Sequence, residues 1–309
     1  MNKQLGIGPE FIWKNFHLGT ELEIAGNFLY DALYNFDQMK HFYFEADIFN
    51  CLYQLSVGIE RLQKITLILL TGFGDTKNPD FEKKLVSHSL QHFHERINKV
   101  KTVKFGKNEN KLLTILTGFY EKNRYGRFNF DSSQESEYEK KEFISFLSDL
   151  MGGGKYIEVD PHPVMTINND TFKKEFGKTI QNIVLSYYQI VEQTCRSQNI
   201  YTYEVNQESK AFQIFWGHQF DFIQAKHVKR EVLYYLMRNF NKLISNKKME
   251  AINFDPDSMQ EIVDFLMNSC KSTHIVDTYE CIIDDQIQEK LDLCKEKESR
   301  RLHLEYLFS

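Results

Sequence analysis

Two pairs of polar residues in the first half of the chain have types and spacing that could form an ion pair in one case and supply a general base in the other. Glu60 and Lys64 lie four residues apart, in the order that lets a carboxylate and an ammonium group pair on one face of a helix. His88 and His92 have the same spacing, and an imidazole titrates near neutral pH and can accept a proton there. An exposed ion pair and a capped helix start contain the same residues, so each pair has a purely structural alternative.

Further along, arginines and lysines supply the cations that phosphate binding requires. Tyr120, Arg124 and Arg127 share one helical face at three- and four-residue spacing, and guanidinium groups bind phosphate through paired hydrogen bonds. Residues 96–111 contain five lysines against a single acidic residue, Glu109. The candidate phosphate-binding residues are Arg127, Arg96, Lys99, Lys101 and Lys104. A solvated, lysine-rich helix end is the simpler interpretation of the same stretch.

Composition restricts the class of protein to which the chain belongs. Its 309 residues, 42% hydrophobic and 14% aromatic, are enough for two domains and are too apolar for a disordered chain. A net charge of −5 argues against a surface coated in positive charge for bulk nucleic-acid binding. Five prolines and 15 glycines are few helix breakers, which favours long helices over many short strands. The five scattered cysteines form no C-x-x-C pair, which predicts reduced thiols and no zinc site.

Targeting and cofactor motifs are not visible in the sequence. The first ten residues lack the basic and apolar regions of a signal peptide. The most apolar run, residues 65–70, is far shorter than the roughly 20 residues that span a bilayer. We therefore expect a cytoplasmic protein without a membrane segment. The glycine run at 152–154 lacks the spacing of a phosphate-binding loop, and no acidic or histidine cluster has ligand spacing, so we expect no cofactor and no metal.

Apolar periodicity predicts a mainly α protein of two domains. Predicted helices cover residues 19–44, a stretch from an Asp47 cap to Gly72, 79–103 with a break near a Ser87 cap, 109–127, 171–198, 219–245, 256–272 and 277–307. A further short helix is predicted after residues 131–139, ending at the glycines 152–154. Residues 156–167 are predicted to be extended and 201–205 to form a short strand. Because the glycines at 152–154 are typical of a linker, we expect domains at 1–150 and 151–309.

The order of the polar clusters resembles that of the HEPN superfamily, the higher-eukaryote and prokaryote nucleotide-binding helical domain. The sequence IERLQKI at 59–65 is similar to the family's Glu-Lys-x-x-Lys helix, and SHSL at 87–90 is similar to its Thr-His-Asp-Leu entry to the third helix. The pair RY at 124–125 is similar to its Arg-Tyr exit from the fourth helix. The resemblance covers roughly residues 17–130.

This resemblance implies an up-and-down four-helix bundle that dimerises, here through its second and fourth helices. Members occur as bacterial defence and toxin proteins, so a partner protein or antitoxin is also implied. Many are metal-independent endoribonucleases that use an arginine followed four to six residues later by a histidine, contributed once from each protomer. The histidine takes the proton of a ribose 2′-hydroxyl while the arginine stabilises charge on the phosphate.

The chain departs from this family pattern after Arg124. Asn129 or Asp131 occupies the position where the family has its histidine. Asparagine cannot act as a general base, and aspartate is a weak one unless its pKa is raised. The histidines of the third helix are His88, His92 and His94. Either one of these supplies the base, or the ribonuclease site is absent.

From these residues we expect a defence or toxin protein that acts on RNA, with Arg124 and one of His88 and His92 as catalytic residues. Glu60 and Lys64 are expected to be structural, contacting each other or Arg124 inside the bundle. One alternative is a non-catalytic module that binds a nucleotide or a partner protein. Another is a helical scaffold within a larger complex.

Overall fold

The protein is mainly α-helical, as the sequence predicts, and its computed structural model describes residues 9–123, 128, 138–153, 159–161, 164–200 and 209–226. The helices are, in chain order, α1 (Pro9–Ile12), α2 (Leu18–Gln38), α3 (Glu45–Leu70), α4 (Phe73–Thr76), α5 (Pro79–Leu85), α6 (Leu90–Val100), α7 (Lys107–Gly118), α8 (Tyr138–Leu150), α9 (Asp170–Gln198) and α10 (Lys210–Phe215). Two π-helical turns, Trp13–His17 and Phe119–Asn123, precede α2 and follow α7. No described helix combines the length and hydrophobicity that crossing a bilayer requires.

Helices α2 and α3 form an antiparallel pair at the centre of the fold. Apolar residues recur every three or four positions on each helix, and these residues are buried: Leu22, Ala25, Leu29, Leu33 and Phe36 on α2, and Leu52, Leu55, Ile59 and Leu62 on α3. The antiparallel direction follows from the contacts of Glu21 with Arg61 and of Asn35 with Gln54. Helices α2 and α3 approach each other closely at Gly58, where a Cβ atom would lie 2.8 Å from Cγ of Leu29.

Two of the predicted helix caps are wrong. Helix α3 begins at Glu45 and not after an Asp47 cap, because the chain is extended at Phe44 and turns helical directly after it. Helix α6 begins at Leu90, and its cap is Ser89, whose hydroxyl accepts a hydrogen bond from the His92 backbone N–H. The predicted break between α5 and α6 near residue 87 is present.

Helix α9 packs into the same core as the helices of the first half of the chain. The ring centroids of Phe36 and Phe176 lie 4.3 Å apart, and the side-chain amide of Asn182 donates a hydrogen bond of 2.7 Å to the Glu109 carboxylate. The chain divides into compact units at Met1–Ile223 and Gln224–Ser309, so the division does not coincide with the boundary expected at residue 150. Gly152 and Gly153 have φ of 75° and 82°, and the Gly153 backbone N–H donates a hydrogen bond to the Ser148 carbonyl, so these glycines end α8.

A small antiparallel hairpin precedes α9, within the segment that the sequence predicts to be extended. Strand β1 (Val159–Pro161) pairs with β2 (Val164–Thr166), and the carbonyl of Thr166 accepts a hydrogen bond from the Phe42 backbone N–H. Of the predicted helix at 219–245, residues 223–226 are helical. The remaining residues of that helix, the strand predicted at 201–205 and the helices predicted at 256–272 and 277–307 lie outside the described residues.

Candidate functional site

A cavity of about 700 Å³ lies between the π-helical turn at Trp13–His17, the start of α2, the middle of α3 and the segment before α6. Helix α3 forms one wall, because six of its residues recur at three- and four-residue steps along one face. These residues are Val57, Glu60, Arg61, Lys64, Ile65 and Ile68. The cavity therefore brings two carboxylates, two cationic side chains and two imidazoles together beside an apolar surface.

Glu60 is the buried centre of the polar residues in this cavity. One of its carboxylate oxygens forms an ion pair with the ammonium group of Lys64, one helical turn along α3. The other, Oε2, lies 3.2 Å from Nδ1 of His88. The predicted contact between Glu60 and Lys64 is thus present. When Nδ1–H of the imidazole donates a hydrogen bond to this carboxylate, the tautomer is fixed. Nε2 is then the unprotonated nitrogen and can accept a proton.

His88 also contacts Tyr120, whose aromatic ring meets the imidazole edge-on at a centroid distance of 5.0 Å. Tyr120 lies in the π-helical turn that follows α7 and is buried. The sequence places Tyr120 on the same helical face as Arg124 and Arg127. Both arginines lie outside the described residues.

His92 does not share the cavity with His88, although the two histidines are four residues apart in the sequence. His88 precedes the first residue of α6, so helical spacing does not relate the two side chains. His92 is exposed in the first turn of α6 and is not among the residues that line the cavity.

His94 belongs to a hydrogen-bond network inside the fold. Oδ1 of Asn98 accepts a hydrogen bond from the Val103 backbone N–H, so the Asn98 amide nitrogen donates to Nε2 of His94 at 2.9 Å. Nδ1–H of His94 then donates to the hydroxyl oxygen of Tyr187, also at 2.9 Å. Burial lowers the pKa of His94, and its ring stacks on Phe105. Packing therefore favours the neutral form of His94, and this side chain does not line the cavity.

The basic residues predicted to bind phosphate fall into two groups. The guanidinium group of Arg96 donates a hydrogen bond of 2.9 Å to the Lys84 carbonyl and lies 5.6 Å from the ring centroid of Phe81. Arg96 therefore joins α5 to α6, and burial lowers the pKa of its guanidinium group. The other described members of the set are exposed lysines, namely Lys99, Lys101 and Lys104.

The cavity includes residues that sequence analysis did not select. Glu21 forms an ion pair with Arg61 across the α2–α3 interface, and both side chains line the cavity. Trp13 and His17 contribute from the turn that precedes α2. No local pattern relates these residues to Glu60, since only the packing of α2 on α3 brings them together.

Comparison of the chain with protein-family models, with curated proteins and with solved structures gave no match. Among the described residues, no group of three or more His, Cys, Asp and Glu side chains is placed to hold a metal ion. The chemistry that the cavity can perform follows from a carboxylate-oriented imidazole with cations close by. That arrangement suits proton transfer next to an anionic substrate.

Proposed function

We propose that the protein is a HEPN-like defence or toxin protein that cleaves RNA without a metal ion, with His88 as its general base. The observation that carries the proposal is the 3.2 Å contact between Glu60 and His88 at the wall of the cavity. His88 offers the base that this chain, unlike the family pattern, lacks after Arg124. The proposal extends to a homodimer, which the family resemblance implies, and to a cytoplasmic location.

In the proposed reaction, Nε2 of His88 takes the proton of a ribose 2′-hydroxyl. The 2′-oxygen attacks the adjacent phosphorus, the bond from phosphorus to the 5′-oxygen breaks, and that oxygen takes a proton from water. The products are a 2′,3′-cyclic phosphate and a 5′-hydroxyl end. Charge that builds on the phosphoryl oxygens is stabilised by Lys64 and Arg61 of the cavity and by Arg124.

Glu60 has two roles in this scheme. Its Oε2 orients the imidazole of His88 and stabilises the imidazolium ion that forms on proton transfer. Its other oxygen holds Lys64 on the same wall, so the base and a cation are positioned by one carboxylate. Positioning of this kind before substrate binds is what lowers the cost of reaching the transition state.

The test is cleavage of single-stranded RNA by the purified protein in the presence of EDTA, with the product ends analysed. We expect 2′,3′-cyclic phosphate ends, and we expect His88→Ala to lower kcat/KM by about 10²–10⁴-fold, the usual contribution of a general base. His92→Ala is the matched control and should keep wild-type activity. Full activity in His88→Ala would contradict the assignment of the base.

A second candidate function is a non-catalytic module that binds a nucleotide or a partner protein. The feature that favours it is the residue pattern after Arg124, where Asn129 or Asp131 stands in place of a histidine. Thermal stabilisation by a nucleotide, without cleavage of any RNA and without toxicity that Arg124→Ala abolishes, would indicate this function.

A further inference from the structure

Along α3 the lining of the cavity is polar at Glu60, Arg61 and Lys64, with the apolar Val57 before them, and it becomes apolar toward the C-terminal end of the helix. Glu60 and His88 lie in the polar part. Ile68 lies eight residues beyond Glu60, which corresponds to about 12 Å of helical rise, and Ile65 lines the cavity on the same side. The end of the cavity at Ile65 and Ile68 is thus apolar, and we call the part around Glu60 its polar end.

The turn that contains Trp13 lies beside the apolar end, as the contacts of the neighbouring Lys14 show. The Lys14 ammonium group donates a hydrogen bond of 2.9 Å to Gln198, and the Gln198 amide donates to the Leu69 carbonyl at 3.1 Å. The turn that contains Trp13 is therefore fixed against the C-terminal end of α3. Lys14 and Asn15 are buried, whereas Trp13 is half-buried and lines the cavity.

We propose that this apolar end is a nucleobase subsite, in which Trp13 stacks on an unpaired base next to the phosphodiester that is cleaved at the polar end. The inference rests on the proposed function. A nucleotide has the same two-ended chemistry as the cavity, an anionic phosphate at one end and a flat base with an apolar face at the other. Aromatic side chains bind unpaired bases by stacking, and tryptophan offers the largest ring for it.

The size of the cavity also selects an unpaired substrate. A volume of about 700 Å³ is that of a pocket that encloses one small ligand. A base can reach such a pocket only when it is free of its partner strand, because a paired base is stacked inside the duplex. The protein therefore takes single-stranded RNA, with one nucleotide inside the cavity and its neighbours outside.

Trp13 provides its own spectroscopic probe, because the chain has two tryptophans and Trp216→Phe leaves Trp13 as the single indole. The ligand is a short single-stranded oligoribonucleotide with 2′-O-methyl riboses, which cannot be cleaved. We expect this oligonucleotide to quench the fluorescence of Trp13, and we expect the duplex of the same sequence to leave it unchanged. Equal quenching by the duplex would overturn the inference.

The matched variants are Trp13→Leu and Phe16→Leu. Trp13→Leu should weaken binding of the oligonucleotide about tenfold and raise KM by a similar factor, with a smaller effect on kcat, and Trp13→Phe should restore most of the loss. Phe16 lies in the same turn but is 54% exposed and does not line the cavity, so Phe16→Leu should bind like the wild type.

The outcomes separate this inference from the proposed function. Quenching of Trp13 by single-stranded RNA in a protein that does not cleave RNA would overturn the ribonuclease proposal and support the subsite. Cleavage with an unchanged KM in Trp13→Leu would overturn the subsite and support the ribonuclease. If Trp13→Leu does not fold, the titration of Trp216→Phe decides the question by itself.

Discussion

Oε2 of Glu60 lies 3.2 Å from Nδ1 of His88, although the two residues belong to different elements. Glu60 is in the middle of α3, whereas His88 lies in the connection before α6. The contact forms only when these parts of the chain pack together. Because the same buried carboxylate also pairs with Lys64, the stability of the fold and the geometry of the cavity depend on one side chain.

We predict that Glu60→Ala lowers the free energy of unfolding by about 2 kcal/mol. This is less than the 3–5 kcal/mol of a fully buried pair, because the Lys64 side chain is 25% exposed and water can partly solvate the unpaired ammonium group. Urea denaturation measures the difference. Glu21→Ala is the matched control, since it breaks the half-exposed pair with Arg61 and should cost about 0–1 kcal/mol.

The exposed Lys107 provides a second reference for this prediction. Lys107→Ala should leave the melting temperature close to that of the wild type. Equal melting temperatures for Glu60→Ala and Lys107→Ala would show that the buried carboxylate contributes nothing to stability.

A second prediction concerns His94 and the pH dependence of stability. Burial lowers the pKa of His94 from its ordinary value of 6.5, so the unfolded chain takes up a proton that the folded protein does not. The contribution of neutral His94 is therefore fully present above about pH 6.5 and is lost as the pH falls toward the lower pKa of the folded protein.

Denaturation of variants at two pH values measures this contribution. Between about pH 7.5 and pH 5.5, we expect the loss of unfolding free energy to be smaller in His94→Gln than in the wild type. His92→Gln removes an exposed imidazole from the same helix and should keep the wild-type dependence. If the unfolding free energy of His94→Gln changed with pH as steeply as that of the wild type, the prediction would be wrong.

The long helices could be predicted from sequence because their cores follow a local rule. Leu22, Ala25 and Leu29 recur at helical spacing on α2, and each is buried. The cap of α6 could not be chosen from spacing alone, since Ser87 and Ser89 both precede the same apolar run. In the structure the Ser87 hydroxyl accepts a hydrogen bond from the Ser89 backbone N–H instead of capping the helix.

The candidate site was predictable only where its contacts are local. Glu60 and Lys64 are one turn apart, and their pairing follows from helical geometry. The contact of His94 with Tyr187 spans 93 positions, and nothing in the sequence near His94 indicates it. Trp13 entered no prediction because its place in the cavity depends on the packing of the turn before α2.

A third prediction tests the packing of α9 against the chain that follows α10. A Cβ at Gly177 would clash with the carbonyl oxygen of Phe220, which is backbone and cannot rotate away. Gly177→Ala should therefore lower the free energy of unfolding by about 1–3 kcal/mol. Gly118, at the end of α7, has no atom within 4 Å of such a Cβ. Gly118→Ala should raise stability by about 0.5–1 kcal/mol through the lost entropy of the unfolded chain.

Thermal denaturation of the two glycine variants distinguishes packing from backbone entropy. Opposite signs are expected for the changes in melting temperature. A stabilised Gly177→Ala would mean that Phe220 and Asp221 do not pack on α9 in solution.

The last prediction concerns the exposed lysines at 99, 101 and 104, which lie in α6 and the connection to α7. If they contact RNA phosphates, each bound lysine releases condensed counterions, and the affinity falls with salt in proportion to the number of contacts. Replacing all three by glutamine should reduce the slope of log K against log salt concentration by about 2, since each contact to a single strand contributes about 0.7. The control is a triple glutamine variant at Lys40, Lys174 and Lys178, which are also exposed. Both variants lose the same charge, so a long-range electrostatic effect would change the two salt slopes by the same amount. A smaller slope in the variant at Lys99, Lys101 and Lys104 alone would indicate direct contact with phosphate.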